Sequence, residues 1–127
     1  MNFDLNFHKI KDTARFLDIF IDKYVDKSLI KDRILLWNSL KVKVNLADLK
    51  EIYNLNIDHN EIIMLYDERE RNLYRVRYMF FLDQYKQLEY WEDPDYLIIN
   101  EKMEWFIAIT HEEFMLIYDK SNIIRNR

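Results

Sequence analysis

YLIINEKMEWFIAITHEEFMLIYD, residues 96–119, decides the fold. It holds three apolar runs: YLII (96–99), EWFIAIT (104–110) and EFMLIYD (113–119). Each is short and rich in Ile, Phe, Tyr or Trp, which is the composition of β-strands. The links between them are only a few residues long, and links this short force antiparallel neighbours. A strand with one face in water alternates apolar and polar residues. These three are apolar on both faces. Both faces of the sheet they form therefore need a cover, from helices on both sides, from a second subunit or from a partner.

Working upstream, EIIMLYD (61–67) reads as a further strand, and ERERN as a polar turn. LYRVRYMFF (73–81) alternates, with Tyr74, Val76, Tyr78 and Phe80 on one face and Arg75 and Arg77 on the other; it also fits a helix. Pro94 breaks regular structure in the next segment, QYKQLEYWEDPD. Before residue 56 the period changes. Ile10, Ala14, Leu17, Ile21 and Tyr24 recur at spacings of three and four, and Phe16 widens the stripe, so residues 8–26 form an amphipathic helix. Ile19 falls on its polar side. Ser28 caps a second helix, SLIKDRILLWNSL. Asn45, with Asp48 three residues on, reads as the cap of a third, which buries Leu46, Leu49, Ile52 and Tyr53. The expected fold is α+β: two or three N-terminal helices packed on a C-terminal antiparallel β-meander of four to five strands. Residues 1–127 form a single domain, helical over 8–55 and sheet over 61–119.

Composition removes whole classes of chemistry. The 127 residues contain no glycine and no cysteine. Phosphate-cradling loops, dinucleotide fingerprints and the serine nucleophile elbow all require glycine. Disulfides, thiolate zinc sites and thiol nucleophiles require cysteine. Left-handed turn positions are then expected at Asn54, Asn56, Asn72, Asn100, Asp119 or Asn122, because Asn and Asp tolerate positive φ best. Net charge is −4, which disfavours a nucleic-acid binder. Arg69, Arg71, Arg75 and Arg77 form the one basic cluster, diluted by Glu68 and Glu70. No run reaches the ~18 uncharged apolar residues of a spanning helix, so no membrane role is expected. The absence of cysteine and of a leader-like N-terminus fits the cytoplasm.

Two clusters carry candidate binding residues. His111 and Glu112, with Glu113, sit in the turn of AITHEEF. Adjacent residues in extended chain point to opposite faces, and THEE has no second histidine one helical turn away, so neither a catalytic pair nor a metal site is assigned. Tyr90, Trp91, Glu92, Asp93 and Asp95 form an aromatic and acidic loop around Pro94. Its spacing lacks a cation-loop pattern, and acidic groups beside aromatic anchors suit a basic protein surface. No cofactor is expected.

The segment DPDYLIINEKMEWFIAITHE resembles the C-terminal hairpin of small uncharacterised bacterial α+β domains, among them immunity-protein-like families. The likeness covers about a sixth of the chain. Those families often continue into glycine-containing turns, which this chain lacks. The resemblance implies neutralisation of a partner by tight binding. The expected function is a non-catalytic, cytoplasmic protein-binding domain of immunity or antitoxin type. One alternative is a small enzyme or ligand-binding domain using His111 and nearby carboxylates. Another is a structural homo-oligomer that buries its second sheet face against itself.

Overall fold

The computed structural model describes residues 8–26, 40, 42–88, 95–109 and 114–119. They build one seven-stranded antiparallel sheet: β1 (His8–Ile10), β2 (Asn45–Asp48), β3 (Ile62–Asp67), β4 (Asn72–Arg77), β5 (Tyr96–Asn100), β6 (Trp105–Ile109) and β7 (Phe114–Asp119). The strand order is β1-β4-β3-β5-β6-β7-β2. Three short helices accompany it: α1 (Thr13–Tyr24), a 3-10 helix (Leu49–Asn54) and α2 (Tyr78–Lys86).

This corrects the expected α+β fold. The chain is mostly β, and its helices are not a block packed on a four-to-five-stranded meander. The proposed division into helices over 8–55 and sheet over 61–119 fails for a definite reason. The first half supplies both outer edges of the sheet, β1 against β4 and β2 against β7.

The three strands read from residues 96–119 are present, and both of their faces are covered from within the chain. Ile63, Leu65, Val76, Tyr96, Ile98, Trp105, Ile107, Ile109, Met115 and Ile117 point to one side, where Ile52 of the 3-10 helix and Tyr78, Phe81 and Leu82 of α2 pack on them. Tyr66, Leu73, Leu97, Ile99 and Phe106 point to the other side and meet α1. Nothing in the two-sided apolar pattern therefore calls for a second subunit on a sheet face. Each of these buried side chains contributes ~1.5–3 kcal/mol relative to exposure.

Helix α1 starts later than expected, because residues 8–10 pair with β4. Asp12 is its cap and accepts from the Arg15 N–H at 3.1 Å. Its buried stripe is Phe16, Leu17, Phe20, Ile21 and Tyr24. Relative to the expected stripe it is rotated: Ala14 is exposed and Phe20 is central. Phe20 and Tyr24 both set their rings against Phe106, at 5.3 and 5.0 Å. Ile19 is exposed, a single apolar residue on the outer side.

The segment expected to be one helix from Asn45 divides at Asp48. Residues 45–48 are drawn into register with β7, and Asp48 caps the 3-10 helix by accepting from the Lys50 N–H at 2.9 Å. Pairing along a whole strand outweighs a marginal local helix preference. Ile52 is buried as expected, whereas Leu46 and Tyr53 are exposed. The expected helix after Ser28 lies outside the described residues.

LYRVRYMFF is strand and helix in turn. The period-two alternation holds to Arg77, then Tyr78, Phe81 and Leu82 are buried at helical spacing. No side chain caps α2. The N–H groups of Tyr78 and Met79 donate instead to the carbonyls of Glu61 and His59, both at 2.9 Å, which satisfies orphan donors of the first turn.

Among the described residues only Arg71 and Met103 have positive φ, at 57° and 54°. The expectation that Asn and Asp would take these positions is corrected. Asp67 and Asn100 act one step back, as side-chain acceptors that shape the turn. Asp67 Oδ1 accepts from the Glu70 N–H at 3.2 Å. Asn100 Oδ1 accepts from the N–H groups of Glu104 at 2.8 Å and Trp105 at 3.1 Å. In both turns the left-handed residue falls late in the loop, as in hairpins that end on a left-handed bulge residue. Asn122 lies outside the described residues.

Candidate functional site

Register places several segments at one end of the sheet. Asp67 lies opposite both Asn72 and Tyr96, Tyr96 opposite Ile109, and Ile109 opposite Met115. The 68–71 turn, the entry to β5 at Asp95, the end of β6 and the start of β7 therefore share that end. Of the expected binding residues only Asp95 is described. Tyr90, Trp91, Glu92, Asp93, His111 and Glu112 lie outside the described residues. The strand ends that bound His111 and Glu112, at Ile109 and Phe114, belong to this same end.

Asp95 is buried. Its carbonyl accepts from the Glu68 N–H at 2.9 Å, which ties Asp95 to the β3–β4 turn. Its carboxylate stands 3.8 Å from the Arg69 guanidinium, whose side chain is 58% exposed. Asp95 thus has a backbone attachment to Glu68 and an ionic one to Arg69, both in the same turn. Around it Arg69, Glu70 and Arg71 are exposed, while Asp67 and Glu68 are buried. The result is a rim of alternating charge over a carboxylate-lined base.

Burial pushes the Asp67 carboxyl above the usual carboxylate range. The Glu70 N–H bond pulls it back, the Glu70 carboxylate raises it further, and the Arg69 N–H lowers it. Tyr74, on the same face as Asp67, is also raised, first by burial and then by the Asp67 charge. A perturbed carboxyl at a strand end is a candidate for proton transfer. Here its oxygen is engaged in holding the hairpin turn.

At the opposite end, sequence reading missed a second group. Glu61 is raised by burial and by the carboxylates of Asp58 and Glu104, against a hydrogen bond from the Trp105 side chain. The only signal there was the short apolar run EIIMLYD, which placed Glu61 no nearer than a strand start. Arg75 meets Glu101 at 3.1 Å on the exposed surface, one arginine of the basic cluster held by an acidic partner. Among the described residues, no three His, Cys, Asp or Glu side chains are placed to hold a metal ion. No described helix is long and apolar enough to cross a membrane.

No protein-family model, no curated protein and no solved structure matches this chain.

Proposed function

We propose that the chain is a protein-binding domain that acts by recognition, in the manner of an immunity protein, and that it works in the cytoplasm. The observation that carries this reading is the convergence at one sheet end. The 68–71 turn, Asp95 and the strand ends at Ile109 and Phe114 are held at one end by register and by the Glu68–Asp95 backbone bond. Rigid strands that present mixed charge on short turns suit a protein surface, because complementary charge guides encounter and fixes orientation. The net charge of −4 favours a basic partner.

The chemistry at this end supports binding over turnover. The Asp67 carboxyl, pushed up by burial, accepts from the Glu70 N–H. Arg69 is half of an ion pair that a partner carboxylate or backbone carbonyl would share.

The test is affinity capture of the tagged full chain from its source cells, run beside an Arg69→Glu variant. The reading expects one stoichiometric protein with the wild-type chain and its loss with Arg69→Glu, while the circular dichroism spectrum still shows the folded sheet. A partner retained at full strength by Arg69→Glu would place the interface elsewhere. A wild-type chain, recovered intact, that captures nothing would end the recognition reading.

A further inference from the structure

The two edges of the sheet are not alike. β1 has three residues and carries exposed Lys9. Short length and lysine are the usual guards of an open edge. β2 pairs with β7 along all four of its residues without a bulge, and its one charged residue, Asp48, stands at its end. Among the described residues no strand pairs with its outer side. At its centre Leu46 is 69% exposed, well above Ile19 and Tyr53, the other exposed large apolar side chains among the described residues.

Leu46 also ends a row. On the face that meets α1, residues directly opposite one another run Ile10, Leu73, Tyr66, Leu97, Ala108, Leu116, Leu46, one from each strand. Every member is apolar. The row is buried from Leu73 to Leu116 and then breaks into solvent at Leu46. A strand that continues it must add antiparallel to β2 and present an apolar residue opposite Leu46 on this same face.

This chain's own β2 meets that requirement. A two-fold axis perpendicular to the sheet keeps like faces together and makes neighbouring edge strands antiparallel, the commonest symmetry of protein assemblies. Side chains alternate with period two, so only pairings that match even positions with even positions keep the faces aligned. Centring the axis on Leu46 sets Leu46 against Leu46 and Asn45 against Ala47 of the second copy. The apolar row then crosses both molecules without interruption.

We infer that two copies of this chain pair through β2, antiparallel and centred on Leu46, into one continuous sheet. The occupant of the edge is a second copy. The pairing is independent of the charged end proposed as the recognition site.

The test uses the full chain. Sedimentation velocity at micromolar concentration is expected to give a dimer, and Leu46→Lys a monomer with an unchanged circular dichroism spectrum. The absence of cysteine allows a positional check. Residues paired across strands have Cα atoms ~4.5–5.5 Å apart, inside the ~4.4–6.8 Å a disulfide spans. Leu46→Cys under oxidised glutathione is expected to give a covalent dimer, and Asn54→Cys, on the exposed end of the 3-10 helix, is not. A monomeric wild type overturns the inference and leaves the edge to a foreign strand. A dimer that survives Leu46→Lys, or that Leu46→Cys fails to link, overturns it as well.

Discussion

Replacing Asn100 is expected to loosen the β5–β6 hairpin more than any exposed substitution. Asn100 is 6% exposed, and its Oδ1 accepts from two backbone N–H groups, of Glu104 and of Trp105. In Asn100→Ala both donors lose their acceptor. The Trp105 N–H is buried, and a buried donor left unmade costs about 1–3 kcal/mol. The Glu104 N–H is partly reachable by water, so its loss approaches the net value of one hydrogen bond, about 0.5–1.5 kcal/mol. The total is about 1.5–4.5 kcal/mol. Asn100→Asp keeps the acceptors. It gives up the side-chain N–H that approaches Glu104 Oε1 at 3.4 Å and faces that carboxylate with another. It should cost less than the alanine variant. Urea unfolding of the three proteins at pH 7, fitted with a shared slope, reads the differences directly. An alanine cost below ~1 kcal/mol would refute the assignment of the turn to this side chain. So would an aspartate variant as damaged as the alanine one.

Tyr78 is buried and donates to the Ile52 carbonyl at 2.9 Å, so Tyr78→Phe should cost about 1–2 kcal/mol in the same assay. Burial raises the Tyr78 phenol and pushes Tyr24 and Tyr85 up to about 12. Their stabilisation is whole below the unfolded value near 10 and is lost as pH rises through the folded values; urea midpoints should fall across that window, and less steeply in Tyr78→Phe. Asp67 is raised by burial, so its charged form opposes folding at neutral pH. Asp67→Asn keeps an acceptor for the Glu70 N–H, and it should raise the urea midpoint at pH 7. That gain should vanish below the ordinary carboxylate range, where wild-type Asp67 is protonated in both states. Arg71 is exposed at φ 57°, a conformation Asn adopts at less cost; Arg71→Asn should raise Tm by about 2–4 °C by calorimetry, and no rise would mean that the turn carries no such strain.

The strands of the sheet centre were legible because their signal is local. YLII, WFIAI and FMLIY are apolar, β-rich and closely spaced, and they pair with one another. The edges were not, because an edge strand is made by its neighbour. HKI and NLAD have no strand signature of their own, and each is fixed by a distant partner, β4 or β7. Asn45 and Asp48 are sound caps by residue type. The register with β7 moved the helix start to Asp48 and left Leu46 in solvent. The absence of glycine pointed to Asn72 and Asn100, which flank the described turns at 68–71 and 101–104. It misplaced the positive φ angles, because Asp and Asn contribute there through their side chains while Arg71 and Met103 take the backbone position. At the candidate site, sequence alone places Asp95 beside the acidic residues around Pro94, and only Asp95 is among the described residues. Its burial and its tie to Glu68 depend on a strand pairing, β3 with β5, that no local pattern announces.

The placement of β1 and β2 at the two edges sets an order of assembly. β3 and β4, β5 and β6, and β6 and β7 close over short turns, whereas Ile10 finds Leu73 and Leu46 finds Leu116 about half the chain away. Each doubling of a loop costs about 0.6 kcal/mol of closure entropy, so roughly four doublings set the edges ~2.5 kcal/mol behind the hairpins. On the ribosome the delay becomes one of time. β1 leaves the tunnel before β4 exists, and β2 before β7, so the apolar side of α1 waits for the strands that will cover it. During that interval the nascent chain offers Phe16, Phe20 and Tyr24 to whatever is nearby, and this is where a chaperone would find it.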